Sequence, residues 1–93
     1  MPKITLNLLN LFALKVGESS VEYECETVGD IILQFLNEYK AKLDDGLMSR
    51  NKKKLHKDIL ILVNGRNIKY LNQYKTKLKE GDEVYISIAL AGG

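Results

Sequence analysis

The chain has 93 residues, enough for one domain that buries about 60–65% of its unfolded surface. Its 45% hydrophobic and 28% charged residues are those of an ordinary globular protein, and a net charge of +2 is too small to argue for a nucleic-acid partner by itself. The single Cys25 excludes an internal disulfide, so nothing points to an oxidising compartment.

The apolar run from Ile4 to Val16 has only Lys3 as a basic flank, is interrupted by Asn7 and Asn10, and ends without a small-residue cleavage site. It is also too short to span a bilayer. The expectation is a cytoplasmic chain, unprocessed apart from loss of Met1 before Pro2, with no membrane partner. Within that run Ile4, Leu6 and Leu8 alternate with Thr5 and Asn7, which predicts a strand with one buried face. Leu8-Leu9 breaks the alternation, and the stretch to Gly17 reads as a bend. Val21, Tyr23 and Cys25 then face one way and Glu22, Glu24 and Glu26 the other, giving a second strand in an antiparallel hairpin.

Thr27 with Asp30 forms a capping box, and Val28, Ile31, Ile32, Phe35, Leu36, Tyr39 and Leu43 keep a helical period up to Asp44-Asp45-Gly46. Glu38 and Lys42 stand in the favourable i,i+4 order on its polar face. Residues 47–57 have no period and read as a loop carrying Arg50, Lys52, Lys53, Lys54 and Lys57. Ile59 to Val63 is a continuous apolar run, which predicts a central strand buried on both faces. Asn64-Gly65 is a strong turn signal before a short strand. Glu80-Gly81-Asp82 makes another turn, and Val84, Ile86, Ile88 and Leu90 alternate with Tyr85, Ser87 and Ala89 in the last strand. One amphipathic helix must cover a mixed sheet of four or five strands, an α+β, ubiquitin-like β-grasp arrangement. The expected division is a domain over 1–90 and an Ala-Gly-Gly tail over 91–93.

The tail is the chemical signal. Gly92 and Gly93 lose the most conformational entropy when ordered and bring no side chain to pack. They suit a thin strap that passes a narrow channel and presents an α-carboxylate. The stretch Ile61-Leu62-Val63-Asn64-Gly65-Arg66-Asn67-Ile68, then Leu78-Lys79-Glu80-Gly81-Asp82-Glu83-Val84, then Ala91-Gly92-Gly93, resembles the ThiS/MoaD sulfur carriers. It is most similar to the MoaD-like branch, the small subunit of molybdopterin synthase. The Pro-Pro step usual there is replaced by Ile88 and Ala89, and Ala-Gly-Gly is equally at home in thiamine-pathway or tRNA-thiolation carriers and in ubiquitin-related modifiers.

The resemblance implies that Gly93 is adenylated by an E1-like enzyme using ATP and Mg²⁺, and that sulfur from a donor enzyme then displaces AMP to leave a thiocarboxylate. It implies that the large catalytic subunit of a molybdopterin-synthase-type pair receives the sulfur, with Gly92 and Ala91 threading the tail into its partners. This chain itself has no constellation of nucleophile, base and stabiliser, so it is expected to be a carrier rather than an enzyme, with no bound cofactor. Tyr70, Leu71 and Tyr74 are candidates for partner docking or for anchoring their own connection. Cys25, on the apolar phase of its strand, is expected to be inert core. His56 has no second His, Cys or nearby carboxylate at metal spacing, so no metal site is expected. The Arg50–Lys57 cluster reads as a solvated loop, with contact to RNA or an acidic partner face as the alternative.

Overall fold

Alternation in the first strand, β1 (Lys3–Leu8), sends Ile4, Leu6 and Leu8 into the core, and β2 (Ser20–Glu24) pairs with it antiparallel, Leu6 opposite Val21. This architecture comes from a computed structural model that describes residues 1–88. Between the two strands, where the sequence suggests a bend, stands a short helix, α1 (Leu11–Val16). Six residues are too few to display a helical period, yet Phe12 and Val16, one turn apart, are both buried. Gly17 closes it in the left-handed conformation at φ 85°, its N–H donating to Ala13 O at 2.8 Å.

The main helix, α2 (Val28–Tyr39), starts on the predicted capping box: Asp30 N–H donates to Thr27 Oγ1 at 3.1 Å and Thr27 N–H to Asp30 Oδ2 at 3.2 Å. Val28, Ile31, Ile32, Phe35 and Leu36 are buried against the sheet, and Phe12 meets Phe35 edge-on with ring centroids 6.5 Å apart. The α-helix ends at Tyr39, earlier than the apolar period suggests. A single 3₁₀ turn, Lys40–Lys42, tightens the chain and still brings Leu43 into the core. Glu38 does not pair with Lys42: its carboxylate accepts from the Tyr23 hydroxyl at 2.6 Å, tying α2 to β2, while Lys42 stands over the Tyr39 ring.

β3 (Ile59–Val63), β4 (Arg66–Asn67) and β5 (Glu83–Ile88) complete a five-stranded mixed sheet in the order β2-β1-β5-β3-β4. Asn64 and Gly65 both take positive φ, 50° and 88°, as a two-residue hairpin turn of the I′ kind requires. The central strand is therefore β5, parallel to β1 and antiparallel to β3. The apolar run of β3 arises differently from the reading above. Ile61 and Val63 are buried under α2, whereas Leu60 and Leu62 lie half-buried on the open face. Residues 47–57 form a loop closed on itself by a Met48–Leu55 bridge, with both side chains buried. No helix among the described residues is long and apolar enough to cross a membrane.

Candidate functional site: the strand that carries the tail

β5 leads to the C-terminal glycines and is held on both flanks. Thr5 to Leu8 pair with Glu83 to Ile86 on one side, and Ile59 to Val63 pair with Ile88 to Val84 on the other. At its end Leu9 N–H donates to Ile86 O at 3.1 Å, and the Ser87 hydroxyl donates to Asn10 Oδ1. Asn10 adopts φ 54°, which turns the chain from β1 into α1 and brings its side chain to Ser87. Ala89 and Leu90, the predicted end of the last strand, and Ala91, Gly92 and Gly93 lie outside the described residues. Chain geometry keeps Gly93, five residues past Ile88, within about 17 Å of it.

The two turn motifs of the sequence meet at the opposite end of β5. Asn64 Nδ2 donates to Asp82 Oδ1 at 2.9 Å, Glu83 N–H to Asn64 Oδ1 at 3.0 Å, and Lys79 N–H to Asp82 Oδ2 at 2.9 Å. Asp82 is 92% covered, and both its oxygens are satisfied within this clasp. Sequence reasoning treats Val-Asn-Gly and Gly-Asp as separate turns; the signal for their contact is that each abuts a strand, with Val63 and Val84 opposite one another.

The three docking candidates are split. Tyr70, 87% exposed, and Leu71 join Leu62, Gly65, Arg66 and Asn67 around a shallow hollow of about 510 Å³ on the open face. A second hollow beside it, lined by Leu9, Leu62, Asn64, Gly65, Glu83 and Tyr85, continues along β5. Leu62 and Tyr85 are register partners, so α2 on one face leaves an apolar strip on the other. Tyr74 turns away from this strip. Its hydroxyl accepts from Leu55 N–H at 3.3 Å, its ring lies under Lys54, and its carbonyl would stand 3.2 Å from a Cβ on Gly29 of α2, a tight contact. It is an anchor for the 47–57 loop, and burial pushes its phenol above the ordinary range.

Cys25 is fully buried, and that burial, with the Asp30 carboxylate nearby, pushes its thiol up to about 11. It is protonated at neutral pH and out of reach. The structure corrects one detail at His56: a carboxylate does stand close, since Asp58 Oδ2 lies 3.7 Å from Nδ1, which also accepts from Asp58 N–H. Among the described residues no group of three His, Cys, Asp or Glu side chains is placed to hold a metal.

A sequence model of the ThiS family matches residues 10–93, and this chain belongs to that family. An Archaeoglobus fulgidus protein named as a sulfur carrier is 32% identical over 81 residues, which span 87% of this chain and 90% of that protein. The small archaeal modifier protein 1 of Methanosarcina acetivorans superposes with a TM-score of 0.85 at 28% identity, covering 100% of this chain and 98% of that one. A chain of the Amycolatopsis orientalis BexX/CysO complex does so with a TM-score of 0.71 at 28% identity, covering 97% and 99%. The protein is a β-grasp member of the ubiquitin-like sulfur carriers and modifiers, a group of small domains that are generally non-catalytic.

Proposed function

We propose that this protein is a sulfur carrier that works through the α-carboxylate of Gly93. A carboxylate is a poor acyl donor, because oxide is a poor leaving group and the negative charge repels nucleophiles. An E1-like enzyme would supply ATP and Mg²⁺, joining the Gly93 carboxylate to AMP with release of pyrophosphate. Sulfur delivered at the sulfide level by a donor enzyme would then attack the acyl carbon, displace AMP and leave a thiocarboxylate. That group is nucleophilic at neutral pH and can give its sulfur to a precursor held by a second enzyme, here read as the large catalytic subunit of a molybdopterin-synthase-type pair. The chain's own part is to display the tail: β5 fixes where it starts, and Ala91 and Gly92 are small enough to pass a narrow channel.

The observation that carries this reading is the family match, which runs through residue 93 and so takes in Ala91-Gly92-Gly93. The MoaD-like turn motifs favour molybdopterin as the destination over thiamine or tRNA thiolation. Intact-mass measurement after incubation with an E1-like partner, ATP, Mg²⁺ and a sulfur source tests it. The mass should rise by the difference between one sulfur and one oxygen; an unchanged mass, with the partner shown to be active, would overturn the reading.

A second reading shares the adenylate. Likeness over the full chain to an archaeal protein named as a modifier favours conjugation of Gly93 to lysines of other proteins. It predicts higher-mass adducts in cells that vanish when Gly92 and Gly93 are deleted.

A further inference from the structure

Beside Tyr74's anchor, the 49–57 loop and the 67–74 segment enclose a cleft of about 450 Å³, within the roughly 300–1,000 Å³ usual for binding pockets. Its floor is apolar: Leu55, Ile61 and Ile68 are buried there, with Ile59 and the Tyr74 ring beside them. Three cations stand around it, Lys54, Lys57 and Lys69, all exposed and none in an ion pair among the described residues. Among the described residues no carboxylate lines it; the nearest in sequence, Asp58, is exposed and stands beside His56. The hollows on the open sheet face differ, one containing Glu83 and the other a single cation, Arg66. With a net charge of only +2 over the whole chain, this is a local concentration of positive charge over an apolar base.

We infer that this cleft docks an acidic segment of a partner protein, an apolar side chain seated on the floor and carboxylates meeting Lys54, Lys57 and Lys69. Charge complementarity sets the sign of the occupant, and the apolar floor gives it an anchor. The position of the lysines decides against a small anion: they stand on long stems at the rim, with no cation at the bottom to hold one. The aromatic groups decide against single-stranded RNA. Tyr74's ring is covered by Lys54 Nζ at 5.0 Å from its centroid, and the exposed Tyr70 belongs to a different hollow, so no free ring is available for base stacking.

The cleft also lies at the base of the tail. Ile59, one of its walls, is the register partner of Ile88, where β5 ends. A partner held there has Gly93 within about 17 Å of Ile88, so the occupant is read as an acidic loop of the enzyme that handles the tail. This last step rests on the carrier function proposed above; binding of an acidic segment does not.

The test uses the full chain, isotopically labelled, and a synthetic peptide of leucines interspersed with aspartates and glutamates. Amide shifts are expected at Leu55 to Ile59 and Asn67 to Lys69, and affinity should fall as salt rises. The triple variant Lys54→Glu, Lys57→Glu, Lys69→Glu should weaken binding about tenfold or more. Lys57→Glu alone, a fully surface change that spares the fold, should weaken it about two- to threefold. Equal binding of a peptide carrying Asn and Gln instead, shifts centred on Leu62 and Tyr85, or tighter binding of oligouridylate would each overturn the inference. Deleting Gly92 and Gly93 should leave peptide binding unchanged. Failure of sulfur loading with peptide binding intact would thus strike the carrier reading alone. Loading of the triple variant with an unchanged KM for the E1-like partner would strike the assignment of the cleft to that enzyme.

Discussion

The platform formed by β1, β5 and β3 and the flank formed by residues 44–58 and 68–76 are held by different kinds of force. In the platform, continuous backbone ladders join three strands, and Ile4, Leu6, Val84 and Ile86 are completely buried beneath α2. In the flank, the chain is fixed at points: the Met48–Leu55 bridge, Tyr74 Oη on Leu55 N–H, and Lys54 on the Tyr74 ring. In the flank, Lys54, Lys57 and Lys69 stand close together with no ion pair among the described residues. On the carrier function proposed above, a rigid base for the tail matters, because a displaced strand would move Gly93 relative to the partner active site it is proposed to reach. The surface that selects partners can change side chains at little structural cost. Stability belongs to the platform and charge to the flank.

The sharpest way to break this separation is Phe35→Ala, which empties the centre of the core between Phe12 and Tyr39. It should cost about 3–5 kcal/mol, a large share of the roughly 5–15 kcal/mol that holds such a domain. Urea denaturation would show it, with platform and flank unfolding together. Next comes Asn64→Ala, which removes two hydrogen bonds from the Asn64–Asp82 clasp and leaves Asp82 Oδ1 without its amide partner. A loss of about 1–3 kcal/mol is expected. The backbone strain of a positive φ can be separated out with Asn64→Gly, which should recover part of the loss and no more.

Tyr74→Phe probes the flank alone. Loss of the hydroxyl that accepts from Leu55 N–H should cost about 0.5–1.5 kcal/mol. Hydrogen exchange should quicken across 47–57 while β1, β5 and β3 stay protected; equal quickening in both would show that the two regions are one cooperative unit. The remaining effect is confined to alkaline pH. The Cys25 thiol titrates near 9 in solvent and is pushed up to about 11 in the fold, so the unfolded chain gives up this proton first. Its contribution to stability is complete below about pH 9 and is lost as pH rises toward 11. Cys25→Ala should flatten stability against pH in that window, and an unchanged slope would refute the burial argument.

Local order was readable from the residues wherever it has a local cause. The Thr27–Asp30 capping box, the Asn64-Gly65 turn and the strand alternation in β1, in β2 as far as Glu24 and in β5 as far as Ile88 each rest on neighbours a few positions apart, and each stands where the spacing puts it. The helix α1 was not readable, since six residues carry too little period. The apolar period overstates the length of α2, because a 3₁₀ turn buries Leu43 as well as another α-turn would. The five apolar residues of β3 could not by themselves say whether a second layer covers the sheet or an apolar strip faces solvent.

The sequence alone determined the class of chain, a β-grasp fold with one main helix on a mixed sheet, because capping, alternation and turn chemistry are short-range effects. Tertiary structure decided that β5 rather than β3 is the centre of the sheet, that the Asn64 and Asp82 turns clasp one another, and that Tyr74 parts company with Tyr70. It also decided that Lys54, Lys57 and Lys69 share one cleft. Those are relations between residues far apart along the chain, and only packing of the sheet against α2 brings them together.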